Sequence, residues 1–123
     1  MNFTENKAIY LQIAERICDE ILSGCYAPDE RIPSVREYAG IVEVNANTVM
    51  RSYDHLQSQE IIYNKRGIGY FVATKAVKII QRLRRTTFLK NEANYFFKQL
   101  HSLNITPEEL AEMYQEYIQH QNA

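Results

Sequence analysis

The chain is poor in the residues that punctuate or staple a fold. It has four glycines, three prolines and two cysteines in 123 residues. No internal repeat or low-complexity segment is present, and 46% hydrophobic content excludes wholesale disorder. Cys18 and Cys25 are too few for a disulfide framework, and two thiols alone do not complete a zinc site. They read as reduced thiols in or near a core. No apolar run approaches the roughly 18 to 20 residues of a membrane span. Met1 is followed by polar residues with no apolar leader, so the expected location is the cytoplasm, with no membrane partner. Excess positive charge is missing too, since the net charge is −1. Of the three histidines, His55, His101 and His120, none is spaced with Cys, Ser or a carboxylate to build a catalytic set. Gly67-Ile68-Gly69 is too short for a phosphate-cradling fingerprint. An enzyme is not expected, and no metal or cofactor is indicated.

What is present is periodic. Ile9, Ile13, Ile17 and Ile21 recur every four residues, widened by Ala14, Cys18 and Leu22, which predicts an amphipathic helix capped near Gly24. Pro28 and Pro33 interrupt helix in "YAPDERIPS". Ser34 with Glu37 forms a capping box for a short second helix. Asn45 caps a third helix running to about Ser58, with Val44 and Val49 as a hydrophobic staple. "IIYNKRGIGYFVAT" then reads as a hairpin whose turn carries Lys65, Arg66, Gly67 and Gly69. From Lys75 the helical period returns and continues to Leu103; Thr106, Pro107 and Glu109 open a last helix. Three helices, a hairpin and two further helices give a mainly α chain with a small β-hairpin. The expected plan is a winged helix-turn-helix over residues 1–75 and a two-helix tail over 76–123.

The third helix, "NANTVMRSY" onward, has an unusual outer face. At 100° per residue, Ala46, Val49, Tyr53 and Leu56 fall on one arc and are expected in the core. Asn47, Thr48, Arg51 and His55 fall on the opposite side. A solvated face normally carries Lys and Glu. Amide, hydroxyl and guanidinium groups near a helix N-terminus instead suit base edges and phosphates. Arg36 on the preceding helix and Lys65/Arg66 on the hairpin tip would present donors toward the same surface.

On the segments "IYLQIAERICDEILSG", "RIPSVREYA", "VNANTVMRSYDHL" and "IIYNKRGIGYFV", the chain resembles the GntR-type bacterial transcription regulators. The likeness runs from about Ala8 to Ala73. The short helical remainder resembles the YtrA-type subfamily, whose tails serve dimerisation. The resemblance implies a homodimer on double-stranded DNA that represses transcription, often of transporter genes. It puts Arg36, Asn45, Asn47, Thr48 and Arg51 at the DNA, with Lys65, Arg66 and Gly67 as the wing. The pattern departs at Asp29 or Glu30, Glu43 and Glu60, where relatives often have Gly. Ala46 and Met50 stand where some relatives carry Arg, so base preference does not carry over. The added acids weaken the electrostatic attraction and predict modest non-specific affinity.

Charge and apolar pattern give the tail its own reading. Residues 1–75 hold eight Lys/Arg against ten Asp/Glu, and residues 76–123 six against five. Val77, Ile80, Leu83, Phe88, Phe96 and Leu100 mark a stripe too broad for two helices to bury alone, and the expectation is a symmetric dimer interface. A small-molecule effector is not indicated, although an apolar ligand among Phe88, Tyr95, Phe96 and Tyr114 stays open. The competing reading is a winged-helix module that binds protein instead of DNA, favoured by the net −2 of residues 1–75.

Overall fold

The structure, a computed structural model, describes residues 7–122. The chain divides into two compact units, Met1–Leu83 and Arg84–Ala123.

In the first unit, helix α1 spans Ile9–Leu22. Ile13, Ile17 and Ile21 are buried, whereas Ile9 is exposed, so the buried stripe starts one turn later than its period suggests. Gly24 ends the helix with φ +87. Its N–H donates to Ile21 O (3.1 Å) and that of Cys25 to Glu20 O (2.9 Å), the paired bonds of a Schellman turn. Cys18 is buried and Cys25 exposed, and both are free thiols.

Helix α2 spans Val35–Val42 and helix α3 Ala46–Ser58. The capping box forms as expected: Ser34 Oγ accepts from Glu37 N–H (3.1 Å) and Glu37 Oε1 from Ser34 N–H (3.0 Å). The Ser34 backbone N–H donated to the carboxylate, with the Ser34 hydroxyl second, holds the Glu37 pKa below its ordinary value. Tyr38 and Tyr53, both fully buried, join α1, α2 and the turn before α2. Tyr38 Oη donates to Glu20 Oε1 (2.6 Å) and Tyr53 Oη to Pro33 O (2.6 Å). Satisfying each hydroxyl lets the whole ring enter the core without a desolvation penalty.

Strands β1 (Ile62–Lys65) and β2 (Gly69–Val72) pair antiparallel, with Ile62 opposite Val72 and Lys65 opposite Gly69. The hairpin is not alone. Asp29 N–H donates to Val72 O (2.8 Å), Val72 N–H to Glu30 O (2.9 Å) and Ile32 N–H to Tyr70 O (2.9 Å). Residues 29–32 therefore cover the second edge of β2, which leaves that strand paired on both sides. Ile32, Ile62 and Val72 face the helices and are buried.

Helix α4 spans Ala76–Thr87, and the boundary between the units falls inside it. Ala76 and Ile80 complete the core of the first unit, with Ile79 and Leu83 packed against it. In the second unit a π-helical turn, Phe88–Glu92, leads into α5 (Ala93–Ser102). Asn104, at φ 57, closes α5, with Ile105 N–H donating to Leu100 O (3.0 Å). Helix α6 (Pro107–Gln121) begins with Pro107 at its first position and Thr106 Oγ1 accepting from Glu109 N–H (3.1 Å). Among the described residues from 84 onward, Ala93 alone is buried.

Candidate nucleic-acid interface

Helices α2 and α3 are joined by a turn through Glu43, which sits in the left-handed region (φ 57, ψ 48). Val44 N–H donates back to Ala39 O (3.1 Å). This tight turn sets the start of α3 at Asn45, whose Oδ1 accepts from Asn47 N–H (2.8 Å). The Asn45 side chain is thus occupied as a cap. The Asn47 carboxamide belongs to an exposed residue in the first turn of α3, where N–H groups favour an anion.

The buried arc of α3 is Val49, Ser52, Tyr53 and Leu56. This shifts the outer face from the expected one. Ser52 is buried because its Oγ donates to Tyr10 O (2.7 Å) and approaches Thr48 O (3.2 Å). Ala46, expected in the core, is exposed. Thr48 and His55, expected outside, are half-buried beside α1, and the His55 ring meets Tyr10 edge-on at 6.0 Å. The exposed face is Ala46, Asn47, Met50, Arg51 and Asp54. The Arg51 guanidinium lies 4.1 Å from the centre of the Tyr10 ring, a cation–π contact that gives the charge a fixed resting place at the edge of this face. Arg36 is exposed on α2.

The wing supplies a second cationic surface. Ile68 N–H donates to Lys65 O (2.9 Å), closing a turn over Arg66 and Gly67; Gly67 has φ +80, which a side chain rarely adopts. Tyr63 and Phe71 stack at 5.6 Å and 17°, and Lys65 Nζ stands 4.7 Å from the Phe71 ring centre. The sequence reading passed over Arg31. It pairs with Phe71, and a Cβ at Gly69 would stand 2.8 Å from its Nε, so Gly69 makes room for the guanidinium. Its one local signal is its position beside the buried Ile32, which points its side chain to the outer side of the sheet.

Two of the added acids have structural partners. The Asp29 carboxylate accepts from Thr74 Oγ1 (3.0 and 3.1 Å) and Tyr63 Oη (3.0 Å), and Glu30 accepts from Ala27 N–H (2.7 Å). Asp54, also passed over by the sequence reading, is an exposed acid on the outer face of α3.

In the second unit, Phe88, Tyr95, Phe96, Phe97, Leu103, Met113, Tyr114 and Tyr117 are all exposed by more than 40%. An open groove of about 510 Å³ runs among Phe88, Asn91, Glu92, Tyr95, Phe96 and Gln99. The other expected interface residues differ in exposure. Val77 is exposed, Leu100 is half-buried, and Ile80 is enclosed by its own unit.

A short helix, a tight turn, a polar-faced helix and a basic hairpin stand in sequence on one framework. Residues 9–72 match the model of the gntR family of bacterial regulatory proteins. The chain belongs to the GntR family. It is a helix-turn-helix transcription regulator and not an enzyme. The HTH-type transcriptional repressor YtrA of Bacillus subtilis (strain 168) is 31% identical over 108 residues, which cover 88% of this chain and 82% of YtrA. The crystal structure of a GntR-family transcriptional regulator from Bacteroides thetaiotaomicron is 61% identical, with a TM-score of 0.81 over 93% of this chain and 99% of that one. Both likenesses reach beyond the winged helix into the tail. The DNA-binding domain of AraR, solved in complex with its operator ORR3, is 29% identical, with a TM-score of 0.51 over 59% of this chain and 92% of that one. For this GntR-family chain, no helix among the described residues is long and apolar enough to cross a membrane.

Proposed function

We propose that this protein is a cytoplasmic homodimeric repressor that binds a pseudo-palindromic operator. Residues 1–75 read the DNA and residues 76–123 join two copies. The observation that carries the DNA reading is the exposed N-terminal half of α3, whose polar groups share a framework with the wing cations Arg31, Lys65 and Arg66. Helix α3 would enter the major groove, with Asn47 and Arg51 toward the bases, and Asn45, Thr48 and Arg36 beside them. Lys65, Arg66 and Gly67 would meet the sugar–phosphate backbone. The relatives lend the same direction: YtrA is named as a repressor, and the AraR domain was solved on an operator.

The dimer is supported by what the tail leaves uncovered. A 40-residue unit that buries a single alanine among its described residues has too little core to hold its shape alone. Contiguous exposed aromatics on such a unit mark a protein interface. Phe88, Phe96 and Leu100 would form that face together with Tyr95 and Tyr114, and Val77, exposed on α4, is a separate interface candidate in the first unit. Ile80 is already enclosed, and Leu83 packs on the same core, so these two hold α4 to its own first unit instead. The groove beside Phe88 and Phe96 is then part of the subunit contact.

The test is selection from random duplexes, fluorescence anisotropy across a salt series, and sedimentation. A two-fold symmetric consensus, a steep salt slope and a dimeric mass are expected. Equal weak binding to every duplex would favour the protein-interaction module.

A further inference from the structure

The outer face of α3 has an apolar patch beside a single carboxamide, at the place where the polar reading expected only hydrogen-bonding groups. Met50 is 40% exposed, one turn along from the exposed Ala46. It is contacted from behind by the wing. Tyr70 Oη approaches Met50 Sδ at 3.9 Å, and the Tyr70 ring stands edge-on to Tyr53 at 5.0 Å and 86°. Tyr53 is itself fully buried and tied to Pro33. A methionine is usually the most adaptable side chain in a surface; here its sulfur is held at the corner between α3 and the wing. The one cation among these exposed α3 residues, Arg51, rests on Tyr10 at the edge away from Met50. Asp54, one turn beyond Met50, can only accept hydrogen bonds when ionised, so it faces a base donor, adenine N6 or cytosine N4, and not the acceptor edge of guanine.

We propose that Ala46 and Met50 read thymine methyl groups, with Asn47 reading an adjacent adenine, so that the half-site core under the start of α3 consists of A·T pairs. The major-groove edge of thymine carries a C5 methyl that apolar side chains touch, and an Asn carboxamide matches adenine N6 and N7. Three neighbouring residues then specify A·T pairs without an arginine. This inference rests on the operator-binding reading above and names the class of base that the site selects.

The experiment uses the full chain and the duplex enriched by selection. Each thymine of the half-site is replaced by uracil in symmetric pairs, which removes the methyl alone. Loss of one buried methyl contact predicts about fourfold weaker binding per half-site, and about fifteenfold for the symmetric pair. Met50→Ala should bind the thymine duplex more weakly and lose its sensitivity to uracil at one position. Met50 is exposed, so this variant is expected to fold, and its melting curve checks that. Tight, sequence-specific binding with no uracil effect at any position would overturn the methyl reading while leaving the operator reading intact. An unchanged uracil penalty in both Met50→Ala and Ala46→Gly would overturn it as well. Absence of any sequence-specific duplex would overturn both readings together.

Discussion

Replacing Glu43 by glycine changes two things at once, and a second variant separates them. Glu43 holds a left-handed conformation (φ 57, ψ 48) in the turn between α2 and α3, with its side chain exposed. For an L-residue that conformation costs roughly 1–2 kcal/mol, because Cβ crowds the following carbonyl. Glycine escapes the clash but loses more backbone entropy on folding, about 0.5–1 kcal/mol. The balance predicts that Glu43→Gly stabilises the fold by about 0.5–1 kcal/mol, a rise in Tm of about 2–6 °C. Glu43→Gln keeps Cβ and removes only the charge, so its stability should stay within about 0.5 kcal/mol of the parent.

DNA binding should respond differently. Both variants remove a carboxylate two residues before Asn45, the N-cap of α3. A phosphate about 10 Å away in a water-like dielectric feels about 0.4 kcal/mol from that charge before screening. Both should therefore bind about twofold tighter per half-site, and about fourfold tighter on the symmetric operator, at low salt and converge on the parent at high salt. Thermal melts at equal protein concentration and anisotropy at two salt concentrations measure the two effects. Equal Tm values for the Gly and Gln variants would show that the turn is not strained. A rise in affinity for Gly without one for Gln would show that the backbone, and not the charge, governs the approach of DNA.

Arg51→Ala should lower specific affinity by roughly 1–3 kcal/mol and relax one base position; an unchanged preference in a repeat selection would remove Arg51 from the readout. Lys65→Ala combined with Arg66→Ala should weaken binding to all duplexes and flatten the salt slope by about 2 per half-site, or about 4 on the full operator. An unaltered slope would take the wing off the phosphates. Phe96→Asp should shift the sedimentation profile to monomer without changing the melting of the winged helix; a dimer that survives it would move the interface elsewhere. Glu37, with a folded pKa lowered by its bonds from Ser34, contributes stability that is complete above its unfolded pKa and is lost as pH falls through the lowered value. Glu37→Gln should remove that part of the acid sensitivity, and parallel acid-unfolding limbs for parent and variant would refute it.

Features fixed by a few neighbouring residues were the legible ones. Ser34 with Glu37, Asn45, and Thr106 with Pro107 all cap helices as their spacing predicts, since each cap closes within three residues. The rest depends on distant partners. Ser52 lies in the core because its hydroxyl meets Tyr10 O, 42 positions away, and nothing adjacent to it reveals that bond. Burying Ser52 turns α3 enough to expose Ala46 and tuck Thr48 and His55 against α1. The segment 29–32 that pairs along β2 is similarly silent, since the Arg31–Phe71 bridge spans 40 residues and the segment contains an Asp and a Glu that sheet positions disfavour. Asp29, Glu43 and Glu60 all have positive φ, which residue type alone would not suggest; only the glycines expected from the family resemblance mark those turns. Ile80 has the period expected of an interface residue and the burial of a core residue, because Ala76 and Ile80 of α4 pack into the first unit.

The balance of charges makes dimerisation more than an accessory. One winged helix presents Arg31, Arg36, Arg51, Lys65 and Arg66 within residues carrying a net −2, and Arg51 is partly engaged by Tyr10. Few phosphates are neutralised by a single copy, so its affinity for a half-site is expected to be weak, with a shallower salt slope than two joined copies show on a full operator. Joining two copies makes the second half-site encounter intramolecular. An effective concentration in the millimolar range can raise avidity by about 10²- to 10⁴-fold with no added contact at either half-site. The occupancy of an operator then depends on the tail more steeply than on any base contact. Phe96→Asp should consequently lower operator affinity by at least a hundredfold while leaving the affinity for an isolated half-site unchanged. Anisotropy on full and half operators measures both, and an equal loss on the two would show that the tail acts on the winged helix itself and not through pairing.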